Sequence, residues 1–182
     1  MDRPSPSDVP ERLQDRLADG RADAFTELYD LFGERMFRCA QWLADGREEA
    51  EDAVQDVFIS LVRSRERLRR VDDLAAYLFS AVRRRVARSG ARARKSAPLP
   101  DDVATPALAN GMTARDGELR EQLEAALRLL PTEQREVVVL KLDGELTFAQ
   151  IARTLDISPH TAASRYRYAV EKLRSLLGDE WH

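Results

Sequence analysis

The chain has 182 residues, of which 43% are hydrophobic, 34% charged and only 7% aromatic, with a formal net charge of −3. That size fits one or two small domains with packed cores, and the scarcity of Gly and Pro favours a mostly helical chain. The single cysteine, Cys39, excludes an intrachain disulfide, no apolar run reaches the length of a membrane span, and MDRPSPSDVP lacks the apolar centre of a signal peptide, so a cytoplasmic protein is expected.

Residues 1–10 hold three prolines and little to bury, and residues 1–20 are expected to form a partly disordered lead. A helical pattern builds from Arg12, with Phe25, Leu28, Phe32, Met36, Cys39 and Leu43 at helical spacing, until Asp45-Gly46 breaks it. A second helix follows from about Glu48, its apolar residues being Ala50, Val54, Val57, Phe58, Leu61 and Val62. Its exposed face begins acidic, with Glu48, Glu49, Glu51, Asp52 and Asp56. Acids in a first turn suit the helix dipole, a purely structural reading, but Asp56 lies beyond that range.

Arg63 to Arg70, RSRERLRR, reads as a frayed helix end and a loop, after which Asp72 or Asp73 caps a third helix with Leu74, Tyr77, Leu78, Ala81, Val82 and Val86 buried. That helix is expected to give out near Gly90. From Arg63 to Lys95 there are twelve Lys or Arg against three acids, a local charge of +9 that leaves −12 on the rest. A run of like charges is often no more than a solvated face. Here no acid stands between Asp73 and Asp101, so the cations lack local partners and point to a polyanion, with the acidic remainder suited to a basic partner.

Residues 96–117, rich in Pro and Gly and without period, read as a linker between two domains. Leu119, Leu123, Ala126, Leu127 and Leu130 then mark a helix ending before Pro131, and Thr132 is placed to cap the next one, which runs to about Leu142. Val137-Val138-Val139-Leu140 favours a strand by propensity, but no partner strand is visible and Gln134-Arg135-Glu136 favours helix, so helix is expected until Asp143-Gly144 stops it.

The most informative stretch is Leu146 to Leu177. Thr147 and Gln150 form a capping box, Leu146 and Ile151 a hydrophobic staple, Asp156-Ile157 a turn, and Ser158-Pro159 the start of a second helix. Ala162, Tyr166, Ala169, Leu173 and Leu176 form that helix's apolar stripe, and the opposite face carries His160, Thr161, Ala163, Ser164, Arg165, Arg167 and Tyr168. Short polar side chains flanked by arginines on a helix after a tight turn are what a helix-turn-helix offers a major groove. An ordinary helical hairpin is the rival reading.

With these residues set out, the chain resembles the bacterial sigma factors of the extracytoplasmic-function type over about Ala24 to Leu177. AEDAVQDVFISLV (Ala50–Val62) is similar to the family's polymerase-contacting helix, and LRLLPTEQREVVVLKLDGELTFAQIARTLDISPHTAASRYRYAVEKLR to its promoter-binding domain. The resemblance implies an all-α fold of two small helical domains joined by a flexible linker, a sigma-2-like domain at 21–95 and a sigma-4-like domain at 118–178. It implies that Glu51, Asp52, Gln55 and Asp56 dock on RNA polymerase core. It implies that Arg65, Arg67, Arg69, Arg70, Arg83, Arg84, Arg85 and Arg88 meet the −10 element, where unpaired bases must be held. It implies that His160, Thr161, Ala163, Ser164, Arg165, Arg167 and Lys172 meet the −35 element of promoter DNA. Where the family usually has a Trp, then an Asn and an Asp, this chain has Tyr77, Arg84 and Arg88, which makes the melting region more basic than usual. Many relatives are held inactive by an anti-sigma factor, a further candidate partner.

The function expected is promoter recognition and transcription initiation, with no catalytic residue, metal or cofactor. A helix-turn-helix regulator that binds DNA without polymerase is the alternative, but a sensor domain needs neither the acidic second helix nor the basic third one. An enzyme fits poorly: there are two histidines, one cysteine, no Gly-rich phosphate loop and no metal-ligand spacing.

Overall fold

The computed structural model describes residues 11–96 and 114–178, and among these every regular element is helical. The helices are α1 (Glu11–Ala18), α2 (Ala22–Leu43), α3 (Arg47–Arg63), α4 (Leu74–Ser96), α5 (Ala114–Arg128), α6 (Thr132–Leu142), α7 (Phe148–Leu155) and α8 (Pro159–Leu177), with a 3₁₀ helix at Arg65–Arg70. The expected disorder of residues 1–10 lies outside the described residues.

The first domain is built on α2, which packs on α3 and α4. Leu28, Phe32, Met36 and Cys39 of α2, Val57 and Leu61 of α3, and Leu78, Phe79 and Val82 of α4 are buried together, as their 3.6-residue periodicity requires. Asp73 caps α4 by accepting from the Ala76 N–H at 3.0 Å.

Five boundaries differ from expectation. Residues 11–18 belong to the domain and not to a lead, because Leu13 and Leu17 are fully buried where α1 packs on the 3₁₀ helix. The stretch after Arg63 is that 3₁₀ helix and not a loop, pinned by the buried Leu68. Helix α4 continues through Gly90, itself buried, to Ser96, and α5 starts at Ala114, inside the expected linker. Thr132 is the first residue of α6 with no cap bond of its own, and Pro131 stands at the cap.

The second domain places α6 against α7 and α8, with α5 on α8. The capping box is present: Thr147 Oγ1 accepts from the Gln150 N–H, and Gln150 Oε1 accepts from the Thr147 N–H. Asp156 ends α7 in the left-handed region, and Ser158 Oγ accepts from the Thr161 N–H at 2.9 Å to start α8. In α8 Ala162 and Ala169 are buried, Tyr166 and Leu173 half-buried, and Leu176 is exposed, so the stripe loses its cover in the last turn.

Val137, Val138, Val139 and Leu140 are all at most 2% exposed. Four consecutive buried residues in a helix require cover all round. Val138 joins Leu127, Leu130 and Ala169 of its own domain, whereas Val137, Val139 and Leu140 join the core that also holds Phe32, Cys39 and Phe79 of the first. Helices α6 and α7 thus seat on α2 and α4, and the two domains share one core.

Candidate functional site

The structure gathers the charged residues onto three surfaces. On α3, Glu51, Asp52 and Gln55 are exposed and Asp56 is half-exposed. Glu51 is braced by Arg47 at 2.6 Å. Glu49 instead turns back, its Oε2 accepting from the Asp45 N–H at 2.9 Å, so this member of the acidic run caps its own helix. Val62, expected in the buried stripe, is 47% exposed, and Phe58 lies only half-buried against Tyr29, ring centroids 5.6 Å apart. The acidic face therefore continues into an apolar one, a feature hidden because these positions fit the periodic stripe equally well.

The second surface is a cleft of about 160 Å³ between α3 and α4, lined by Val57, Ser60 and Leu61 on one wall and Tyr77, Ala81, Arg84, Arg85 and Arg88 on the other. Tyr77 is half-buried there and packs against the core, on a helix wall that also carries Arg84, Arg85 and Arg88. Arg84 and Arg88 are exposed. Arg85 is 3.4 Å from Asp56, and Arg83, outside the cleft, pairs with Glu136 of the second domain at 2.7 Å. The arginine run lacks partners only locally in sequence; folding brings two acids to it. Arg65, Arg67, Arg69 and Arg70 are exposed on the 3₁₀ helix, with Arg69 paired to Asp19 and the Arg65 side chain laid over Gly20.

The third surface is the outer face of α8. His160, Arg167 and Lys172 are exposed, while Thr161, Ala163, Ser164 and Arg165 are half-exposed. Ser164 donates to the His160 carbonyl, and the Arg167 guanidinium lies 5.0 Å from the Tyr168 ring centroid. Arg165 is tied to Glu133 on α6 at 2.6 Å, a partner the local sequence does not disclose. Among the described residues no group of three His, Cys, Asp or Glu side chains gathers as metal ligands would, and no helix is long and apolar enough to cross a membrane.

Comparison with known proteins gives these surfaces a common frame. Residues 28–96 match the family model for sigma-70 region 2, and residues 120–173 that for sigma-70 region 4. The chain is 32% identical over 168 residues to the RNA polymerase sigma factor CarQ of Myxococcus xanthus, covering 91% of this chain and 95% of that protein. The chain is an extracytoplasmic-function sigma factor of the sigma-70 family. It is also 31% identical over 185 residues to the ECF RNA polymerase sigma factor SigE of Mycolicibacterium smegmatis, covering 94% and 70% of the two chains.

The sigma factor's fold is similar to that of RpoE from Bartonella quintana, solved with the anti-sigma factor NepR, at a TM-score of 0.68 and 22% identity over 86% of this chain and 98% of that one. The same TM-score, at 24% identity over 93% and 97%, relates it to CnrH solved with the cytosolic domain of CnrY. The sigma factor binds RNA polymerase core and directs it to the −35 and −10 elements of promoters, upstream of where transcription starts.

Proposed function

We propose a division of that work among the three surfaces. The α3 face of Glu51, Asp52, Gln55 and Asp56 docks on a basic surface of the polymerase core, and the apolar edge at Phe58 and Val62 extends the contact. The α3–α4 cleft takes the opened −10 strand: Tyr77 stacks on a base while Arg84, Arg85 and Arg88 hold its phosphates, with Arg83 joining once it leaves Glu136. Arg65, Arg67, Arg69 and Arg70 flank the same strand. The α8 face reads the −35 element, with His160, Thr161, Ala163, Ser164 and Arg167 toward base edges and Arg165 and Lys172 toward phosphates.

The observation that carries this reading is the cleft, whose α4 wall carries Tyr77 and three arginines next to the acidic face of α3. Melting then needs no catalysis by this chain. Capture of unstacked bases offsets a cost of roughly a few kcal/mol per step, and phosphate contacts make binding fall steeply with salt. The chain acts in the cytoplasm, where the polymerase works. An anti-sigma factor, the kind of partner with which RpoE was solved, is proposed as a regulator. Run-off transcription with purified core on a promoter-fragment library tests the assignment: transcripts from two-element promoters are expected, and their loss when Arg84 and Arg88 are both replaced by Ala. Undiminished transcripts from that variant would refute the cleft.

A further inference from the structure

The 3₁₀ helix at Arg65–Arg70 is six residues long, and 3₁₀ runs beyond about three or four residues are uncommon because their hydrogen bonds are poorly aligned. It also carries four arginines against one acid, Glu66, so its own charges repel. Its shape is therefore set from outside, by α1 and the turn that follows. Leu13 and Leu17 of α1 and Leu68 of the 3₁₀ helix are buried in one core. Gln14 donates through Nε2 to the Val71 carbonyl at 2.7 Å, at the residue that ends the 3₁₀ helix. Asp19 pairs with Arg69. Gly20, at φ +78°, leaves room for the Arg65 side chain, since a Cβ there would stand 2.9 Å from Arg65 Nε. Helix α1 is itself tied to α2, where Arg16 pairs with Glu27 and, at 3.3 Å, with Asp23.

These contacts sort the arginines. A 3₁₀ helix has about three residues per turn, so residues three apart share a face. Arg65 and Leu68 share the face laid on α1 and its turn. Arg69 shares the second face with Glu66 and is neutralised by Asp19. Arg67 and Arg70 share the third, both exposed and without an ion pair among the described residues. At a rise of about 2.0 Å per residue their backbones lie roughly 6 Å apart along the axis, close to the spacing of successive phosphates on an extended strand.

We infer that α1 and the Asp19-Gly20 turn are a positioning element for the −10 strand, holding Arg65 and Arg69 as anchors and leaving Arg67 and Arg70 as the pair that grips two successive phosphates. Gln14 and Asp19 touch no DNA and act through the 3₁₀ helix. This division, which rests on the −10 reading proposed for the stretch, separates its four flanking arginines into two that touch the strand and two that set their place.

The anchor is read on the free full-length chain by limited trypsin digestion, because each of the four arginines is a cleavage site. Gln14→Ala is expected to quicken cuts within residues 65–70, followed by mass spectrometry, by about fivefold at unchanged helicity, the change in local opening that loss of one hydrogen bond brings. Should Gln14→Ala lose helicity, Asp19→Ala, at an exposed position, decides by the same cuts. The gripping pair is read on holoenzyme, titrated over a range of salt with a labelled promoter fragment whose −10 region is left unpaired. Arg67→Ala/Arg70→Ala is expected to reduce the salt slope by about 1.4, since each phosphate contact on a single strand contributes about 0.7. Gln14→Ala is expected to weaken binding of the same fragment at unchanged slope, with co-elution with core intact, the split that marks a residue acting through position. Cuts no faster in the folded variant would overturn the anchor. An equal loss of slope from Arg65→Ala/Arg69→Ala, or no loss from Arg67→Ala/Arg70→Ala, would overturn the pair. The wider −10 reading falls instead with undiminished transcripts from the Arg84→Ala/Arg88→Ala variant, so the two failures are told apart.

Discussion

Asp56 and Arg85 face each other across the α3–α4 cleft, Oδ2 to Nε, 3.4 Å apart. One acid of the proposed docking face thus neighbours one cation of the proposed strand-binding cleft, and the two carboxylates four residues apart on α3 have different surroundings. Asp52 is exposed, with no ion pair among the described residues, whereas Asp56 is half-exposed and screened by Arg85. Asp52→Lys is therefore expected to remove co-elution with core while changing stability by no more than about 0.5 kcal/mol. Adding Asp56→Lys deepens the binding defect and costs up to about 1 kcal/mol through repulsion with Arg85. Gel filtration with core and thermal unfolding measure both. A double variant that still co-elutes with core would remove α3 from the docking surface.

On α8, Arg167 is exposed and Arg165 is held by Glu133. Arg167→Ala is expected to weaken −35 duplex binding by about 1–3 kcal/mol if it reads a base, with core binding intact. Arg165→Ala should weaken binding uniformly across sequences and reduce the salt slope by about one. Glu133→Ala frees Arg165 and should strengthen duplex binding at low salt. Titration of labelled duplexes at several salt concentrations separates these effects, and an unchanged promoter profile for Arg167→Ala would take it off the readout face.

Burial lifts the Asp143 carboxyl above the usual carboxylate range, and the Arg38 guanidinium and the Trp42 indole N–H pull it only part of the way back. The folded chain therefore holds a proton that the unfolded chain releases at about pH 4. The sign follows: the favourable contribution is complete below that value and is lost as pH rises through the raised folded value. Relative to Asp143→Asn, the wild type should gain melting temperature on acidification from pH 7 toward about pH 4. A difference independent of pH across that range would show the carboxyl to be unperturbed.

A Cβ added at Gly144 would stand 2.5 Å from the Leu140 carbonyl oxygen. Backbone, not a flexible side chain, is in the way, and the Leu146 N–H to Leu140 carbonyl bond at 3.1 Å fixes that approach. Gly144→Ala is expected to cost about 1–3 kcal/mol in thermal unfolding, since the α6–α7 turn must move. An unchanged melting temperature would show that the turn yields freely.

The all-helical class, the two-domain order, the capping box at Thr147 and Gln150, the Ser158-Pro159 start of α8 and a cap at Asp72 or Asp73 were legible in the sequence, because helix periodicity and caps depend on neighbours within about one turn; the structure chose Asp73. The acidic, basic and helix-turn-helix faces were legible for the same reason: a face of a helix is a spacing. The sequence could not give α4's passage through Gly90, α1's place in the core, or the cover around Val137 to Leu140, since each depends on what packs from elsewhere. Nor could it assign Glu136 to Arg83, Asp56 to Arg85, Glu133 to Arg165 or Asp143 to Arg38. Local sequence dictates periodicity and caps through short-range hydrogen bonds and steric preference, whereas the partner of a charge or an apolar face is set by how distant helices meet, and only the tertiary structure supplies that.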